Sequence, residues 1–275
     1  MMKILCPTDF SEVASSGIEY AARLAQQLSA RLTLLNVQKM NMGEGVTMFA
    51  GGERESLRNA VDSEIALRKI CAEVEKTFKI PCDEEVIPAF DSLAGVIADL
   101  ERNYDLIVVA TNGSDSFFPF DTGTNSYRIT EKVKAPVLIV PNNYQFEPIH
   151  KLIYATDYSK DDREFVVQLR IFLQSFRPQI ELVHLSSSES VVGKELFRSF
   201  SDYLDESLGY DSRLTFKRLI TDDFPKQLRS EVDQSNAGLL VLSYVPHNFI
   251  YKLTSKSLIK EMIADLPVPL LVFHK

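Results

Sequence analysis

A nine-residue pattern occurs twice in this chain of 275 residues. Lys3-Ile4-Leu5-Cys6-Pro7-Thr8-Asp9-Phe10-Ser11 returns as Lys151-Leu152-Ile153-Tyr154-Ala155-Thr156-Asp157-Tyr158-Ser159, 148 positions later. Each copy is an apolar run, then an aspartate, then a serine suited to cap a helix. The next apolar runs keep the same spacing, with Leu32–Val37 answered by Ile180–Leu185. Further on the spacing falls to 133, between Pro136 and Pro269, so the second copy has lost 15 residues. Most of that loss falls on the loop and long helix after the second strand. Repeats of this period are whole domains rather than solenoid units. The expected division is therefore 1–143 and 148–275, with a linker across Asn142–His150 that contains Pro148.

Within each copy, short apolar strands alternate with helical stretches. Lys3–Pro7 reads as the first strand, and Ser11 caps a helix whose apolar face is Ile18, Ala21, Ala22, Ala25 and Leu28. Leu32–Val37 is a second strand, followed by a methionine- and glycine-bearing loop at Gln38–Gly52. A long helix is expected over Glu53–Lys79, with Leu57, Val61, Ile65, Leu67 and Ile70 as its core stripe. A strand near Glu85–Ile87 and a helix over Phe90–Arg102, capped by Asp91 or Ser92, come next. Strands alternating with helices imply α/β architecture. The expectation is two tandem domains, each an open five-stranded parallel sheet flanked by helices, Rossmann-like. The closing strands, Val137–Val140 and Leu270–Phe273, are apolar edges unless paired. They are expected to face each other in an intramolecular pseudo-dimer, and remaining apolar surface would favour a homodimer.

Composition removes several classes of function. A net charge of −8 argues against a general affinity for nucleic acid or an anionic membrane. No apolar run approaches the roughly 20 residues that span a bilayer. The N-terminus passes straight into a strand and lacks the pattern of a signal peptide. Cys6, Cys71 and Cys82 are odd in number and show no C-x-x-C pairing, which reads as reduced thiols in a cytoplasmic protein. His150, His184, His247 and His274 are scattered, and His184 falls within a strand in place of Asn36, as a satisfied, partly buried imidazole. No G-x-S-x-G, H-E-x-x-H or G-x-x-x-x-G-K-[ST] occurs, so hydrolytic machinery is not visible.

The stretch Asp105–Pro141 is the most specific part of the chain. It runs from a buried strand, Leu106–Ala110, through Asn112-Gly113 to Gly123-Thr124, then a helix over Asn125–Lys134, then the strand Val137–Val140. A loop that leaves a strand and opens a helix is where α/β sheets bind anionic groups. The arrangement resembles the G-x2-G-x9-G-[S/T] nucleotide loop of the universal stress protein family, with Ala110, Gly113, Gly123 and Thr124 at the four positions. The first strand ending in Pro7-Thr8-Asp9, and the closing A-P-V-L-I-V-P, fit the same family, whose fold is adenine nucleotide alpha hydrolase-like. The resemblance implies an adenine-nucleotide site for ATP or AMP, with Mg accompanying ATP. Pro7, Thr8, Asp9 and Val37 would flank the base; Ala110, Asn112, Gly113, Gly123, Thr124 and Asn125 would hold the rest. No catalytic residue follows from it, and at most weak ATP hydrolysis.

The residues themselves leave two readings open. Gly113 serves either a phosphate or a plain Asn-Gly turn. Gly123-Thr124 offers backbone N–H groups to an anion, or simply caps a helix. Asp9 meets a ligand, or caps the helix beginning near Ser11. Ala110 puts a Cβ where the pattern has glycine and where it would crowd a ribose. The loop between the glycines holds Phe117, Phe118, Pro119, Phe120, Asp115 and Asp121 but no Lys or Arg. In the second copy Ser243, Pro246, Lys256 and Ser257 stand at the four positions, without either glycine. Three functions remain, in this order. The first is a stress-response protein with a nucleotide site in its first domain and a structural second domain. Next is a ligand-free module that offers a surface to protein partners, and last a nucleotide-using enzyme of the same sheet class.

Overall fold

The structure is a computed structural model, and it describes residues 1–40, 52–113, 125–188, 191–209, 213–244 and 255–275. The chain divides into two compact units. One comprises Met1–Asn112 and Phe117–Phe146; the other comprises Gly113–Ser116 and Glu147–Lys275.

The first unit is built from β1 (Lys3–Pro7), α1 (Glu12–Leu28), β2 (Arg31–Lys39), α2 (Gly52–Phe78), β3 (Cys82–Ala89), α3 (Leu93–Leu100), β4 (Leu106–Thr111), α4 (Asn125–Lys132) and β5 (Val137–Pro141). Its strands lie in the order β3-β2-β1-β4-β5 and pair in parallel throughout. The sequence dictates which strands are central. Ile4, Leu5 and Cys6 of β1, and Leu106–Val109 of β4, are almost fully buried, as a strand covered on both faces requires. β3, with Asp83, Glu84 and Glu85, takes the edge, where half of each face meets water. Ser11 caps α1 and Ser92 caps α3, each accepting a hydrogen bond from the third residue along.

The second unit repeats the plan with β6 (Lys151–Ala155), α5 (Lys160–Phe172), β7 (Gln179–Ser186), α6 (Val191–Leu208), β8 (Leu214–Ile220), α7 (Phe224–Ser235), β9 (Leu239–Tyr244), α8 (Ser255–Ala264) and β10 (Leu270–His274). The order is β8-β7-β6-β9-β10, again parallel. The shortening of the repeat is visible in the helix after the second strand, which has 27 residues in α2 and 18 in α6.

Two expectations are corrected. The strand predicted near Glu85–Ile87 extends over Cys82–Ala89, because its acidic residues face solvent and so hide its apolar pattern. The core face of α2 is also different. Val61 and Ile65 are 53% and 49% exposed, whereas Ser63, Leu67, Cys71 and Val74 are buried. The small residues Ser63 and Cys71 let the helix lie close to β2 and β3, an option that an apolar stripe does not announce.

Candidate functional site

In each unit the chain leaves the middle strand in one direction for β2 or β7, and crosses to β4 or β9 on the other side. That reversal opens a crevice at the C-terminal ends of β1 and β4, and likewise of β6 and β9.

In the first unit the crevice is edged by a hydrogen-bonded turn. The Thr8 backbone N–H donates to the Leu35 carbonyl at 2.8 Å, continuing the β1–β2 ladder. Thr8 Oγ1 accepts from the Phe10 N–H at 3.0 Å, and Asp9 Oδ1 accepts from the Ser11 N–H at 3.0 Å. Asn36 Nδ2 donates to the Thr8 carbonyl at 2.8 Å. Phe10 adopts φ 64°, the left-handed conformation, which swings the chain from strand into helix. The cap of α1 is therefore Ser11 itself, and Asp9 closes the turn before it. Thr8 is buried, Pro7 and Val37 are half-buried, and Asp9 is exposed.

The β4 side carries Ala110 and Asn112, and Gly113 follows them in the chain. Ala110 does not aim its Cβ at the crevice mouth. A Cβ added to Gly17 of α1 would lie 2.9 Å from it, so Ala110 and Gly17 make one close helix–strand contact, with the glycine on the helix. The expected crowding of a ribose by Ala110 is thus replaced by packing against α1. The Ala110 carbonyl accepts from Ser126 Oγ of α4 at 3.2 Å. Asn112 is exposed, Gly113 has φ 66°, and Asn125 opens α4 in an exposed position. The left-handed φ favours glycine at 113. Gly123, Thr124 and the loop between the glycines lie outside the described residues.

The second unit builds the same turn. The Thr156 N–H donates to the Val183 carbonyl at 2.9 Å, Thr156 Oγ1 accepts from the Tyr158 N–H at 2.9 Å, and Asp157 Oδ1 accepts from the Ser159 N–H at 2.9 Å. Tyr158 has φ 61°. His184, in place of Asn36, sets Nδ1 2.9 Å from the Thr156 carbonyl, so Nδ1 carries the proton. Burial, followed by the nearby Arg218 cation, holds this imidazole below its ordinary pKa and therefore neutral.

The two turns differ in what fills them. Where the first unit has Cys6, Ala14 and Asn142, the second has Tyr154, Asp162 and Lys275. Asn142 and Lys275 are structural counterparts, since their N–H groups donate to the Thr111 and Tyr244 carbonyls at 2.8 and 3.0 Å. Asp162 is fully buried and accepts from Tyr154 Oη at 3.0 Å, Thr156 Oγ1 at 2.8 Å and the Asp157 N–H at 3.0 Å. Lys275 Nζ lies 3.2 Å from Asp162, 3.1 Å from Asp157 and 2.5 Å from Ser159 Oγ. Burial pushes the Asp162 carboxyl up to about 6. Burial also opposes the charge of Asp157, but its hydrogen bond with Asp162 and the Lys275 cation prevail and hold it down. Tyr158 stacks on His184 with centroids 4.3 Å apart and packs against Phe197 and Phe200. It is 1% exposed, whereas its counterpart Phe10 is 38% exposed. In the first unit Asn142 Oδ1 is buried without a hydrogen-bond partner among the described residues. Neither Asn142 nor the Asp162–Lys275 pair was apparent as a site in the sequence. The signal was available in the repeat: an unusual Asp and Lys standing where the other copy has Ala and Asn.

A profile of the universal stress protein family matches residues 1–141. The chain belongs to the universal stress protein family. Solved structures with TM-scores above 0.5 agree on the fold. A universal stress protein from Archaeoglobus fulgidus DSM 4304 is 16% identical, with a TM-score of 0.71 over 99% of this chain and 96% of that one. A putative universal stress protein from Pseudomonas aeruginosa UCBPP-PA14 is 13% identical, with a TM-score of 0.62 over 100% and 93%. A universal stress protein in complex with cAMP is 18% identical, with a TM-score of 0.37 over 50% and 96%. No curated protein matches. Among the described residues, no helix is long and apolar enough to cross a membrane.

Proposed function

We propose that this universal stress protein binds one adenine nucleotide per chain, ATP or AMP, in its first unit, and that its second unit serves structure. The observation that carries this reading is the contrast between the two turns. The second crevice is occupied by its own side chains: Tyr158 is folded onto His184, and Lys275 is clamped between Asp157 and Asp162. The first has the same backbone with Phe10 and Asp9 exposed, and Asn142 Oδ1 is a buried acceptor without a donor among the described residues. These features suit a ligand that brings hydroxyl or amino donors and a flat ring. Pro7, Thr8, Asp9 and Val37 would flank the base and ribose. Gly113, Gly123, Thr124 and Asn125 would supply backbone N–H groups to phosphate, joined by Mg when the ligand is ATP.

Titration calorimetry of the full chain with ATP and with AMP tests the proposal. One site per chain is expected. Asp9→Ala and Gly123→Val should weaken binding, with thermal stability followed in parallel because Asp9 also closes the turn before α1. Lys256→Ala should leave it unchanged. Two equivalent sites would refute the asymmetry. The absence of heat with either nucleotide would refute the ligand and favour a module that binds protein partners.

A further inference from the structure

The three cysteines show no recognisable spacing in the sequence, yet the fold brings two of them together. Cys71 lies on the inner face of α2 and Cys82 opens the edge strand β3, and their sulfurs are 2.8 Å apart. Both are free thiols, 3% and 7% exposed. The turn between them is held on several sides. Lys79, at φ 58°, donates its N–H to the Glu75 carbonyl at 3.1 Å, the Cys82 N–H donates to Glu75 Oε1 at 3.2 Å, and Gln26 Nε2 donates to the Phe78 carbonyl at 2.7 Å. The sulfurs therefore stay face to face, and a covalent bond of about 2.05 Å needs a shift of under about 1 Å.

A metal is a poorer occupant of this pair. A structural zinc takes four protein ligands, and no group of three or more His, Cys, Asp or Glu suited to a metal exists among the described residues. Cys6, also buried, lies in β1, and among the described residues its polar contact is the Pro7 carbonyl, 4.0 Å away.

We propose that Cys71 and Cys82 are an oxidation site, at which a hydroperoxide converts the thiol pair into a disulfide that joins α2 to β3. In the first step one cysteine thiolate attacks the terminal oxygen of ROOH. The O–O bond breaks, RO⁻ leaves and takes up a proton, and a sulfenic acid remains. The partner sulfur then attacks the sulfenic sulfur, an S–S bond forms, and hydroxide leaves and is protonated to water. Two thiols and one ROOH thus give one disulfide, one ROH and one water. Each sulfur loses one electron and the peroxide bond takes up two. Cys82 donates its S–H to Cys71. Its hydrogen bond with Cys71, together with burial, raises its pKa, so little thiolate is present and the reaction is slow. An incubation of hours at mildly alkaline pH suits it.

The test uses the full-length protein, reduced, desalted and exposed to hydrogen peroxide, then blocked with N-ethylmaleimide under denaturing conditions. The expected product has lost about 2 Da, the two thiol hydrogens, before labelling. Non-reducing tryptic digestion should yield the peptides Ile70–Lys76 and Ile80–Arg102 joined, with the label on Cys6 alone. Dithiothreitol should separate the two peptides. Cys71→Ser and Cys82→Ser should each abolish the linked product, and Cys6→Ser should retain it. Label on both Cys71 and Cys82 after peroxide would overturn the proposal. So would their separate conversion to sulfinic or sulfonic acids, or a link through Cys6.

Discussion

Replacing Lys275 by methionine removes one charge from the second unit and keeps most of the side-chain volume. Lys275 is 7% exposed and its partner Asp162 is fully buried. Deleting one member of a buried ion pair costs about 3–5 kcal/mol. The lower end applies here, because Asp162 keeps its bonds from Tyr154, Thr156 and the Asp157 N–H, and because Asp157 is 47% exposed and screened by water. About 3 kcal/mol at pH 7 is therefore expected. The pH dependence carries the diagnostic sign. Burial raises Asp162 from its ordinary 3.8 to about 6 even with Lys275 present, and removing the cation raises it further. A carboxyl with a raised folded-state pKa contributes stability that is fully present below its unfolded pKa. That contribution is lost as pH rises through the folded one. Each pH unit in that window is about 1.4 kcal/mol. Between pH 5 and 7 the wild type loses about one such unit, and the variant, whose Asp162 is raised further, loses up to about two. The destabilisation should therefore shrink from about 3 kcal/mol at pH 7 to about 1.5 kcal/mol at pH 5. Urea unfolding followed by circular dichroism at both pH values measures it. A penalty independent of pH, or none at pH 7, would refute the buried-pair argument.

Two further substitutions probe the packing. Gly17→Ala would set a Cβ 2.9 Å from the Ala110 Cβ, and overpacking of about 1–3 kcal/mol should outweigh a helix-propensity gain of about 1 kcal/mol. On an Ala110→Gly background the same change should stabilise, and a thermal-melt double-mutant cycle without coupling would reject the contact. His184→Asn keeps a donor for the Thr156 carbonyl, as Asn36 does for Thr8, and loses only the Tyr158 stack, costing about 1 kcal/mol. His184→Leu also strands that carbonyl and should cost about 1 kcal/mol or more beyond it, so equal melting temperatures for the two variants would contradict the repeat equivalence.

What the sequence displayed was local. The central strands are apolar runs because both faces are covered, and the T-D-[FY]-S turn is a run of adjacent residues in which the Thr and Asp side chains each accept from the N–H two positions on. Both copies could be read directly, down to Ser11 and Ser159 as caps. What it withheld depends on partners brought together by folding. Lys275 reaches Asp157 across 118 residues, and neither residue type announces the other. Cys71 and Cys82 are 11 apart, one on a helix and one on a strand, so no motif spacing describes them. On α2, Val61 and Ile65 look like core and are exposed, because the buried face is chosen by the fit of small side chains against β2 and β3. Ala110 stands where the family pattern has glycine; the glycine of that contact stands on α1 instead, at Gly17.

The divergence of the two units can be followed from a single position. Asp162 sits in the first turn of α5 where α1 has Ala14, and it points into the interior below the turn. A buried carboxylate needs donors and a counter-charge. Tyr154 and Thr156 supply hydroxyls, and Lys275, at the end of the chain's last described strand, supplies the cation. Once Lys275 is drawn in, it also binds Asp157, the residue that stands at the mouth of the crevice. In the first unit Ala14 imposes no such demand. Cys6 and Asn142 replace the tyrosine and the lysine, Asp9 keeps an exposed carboxylate, and Asn142 holds a buried oxygen without a donor among the described residues. Three positions, Cys6 against Tyr154, Ala14 against Asp162 and Asn142 against Lys275, thus separate a cluster neutralised by its own side chains from a turn whose Asp9 carboxylate stays exposed.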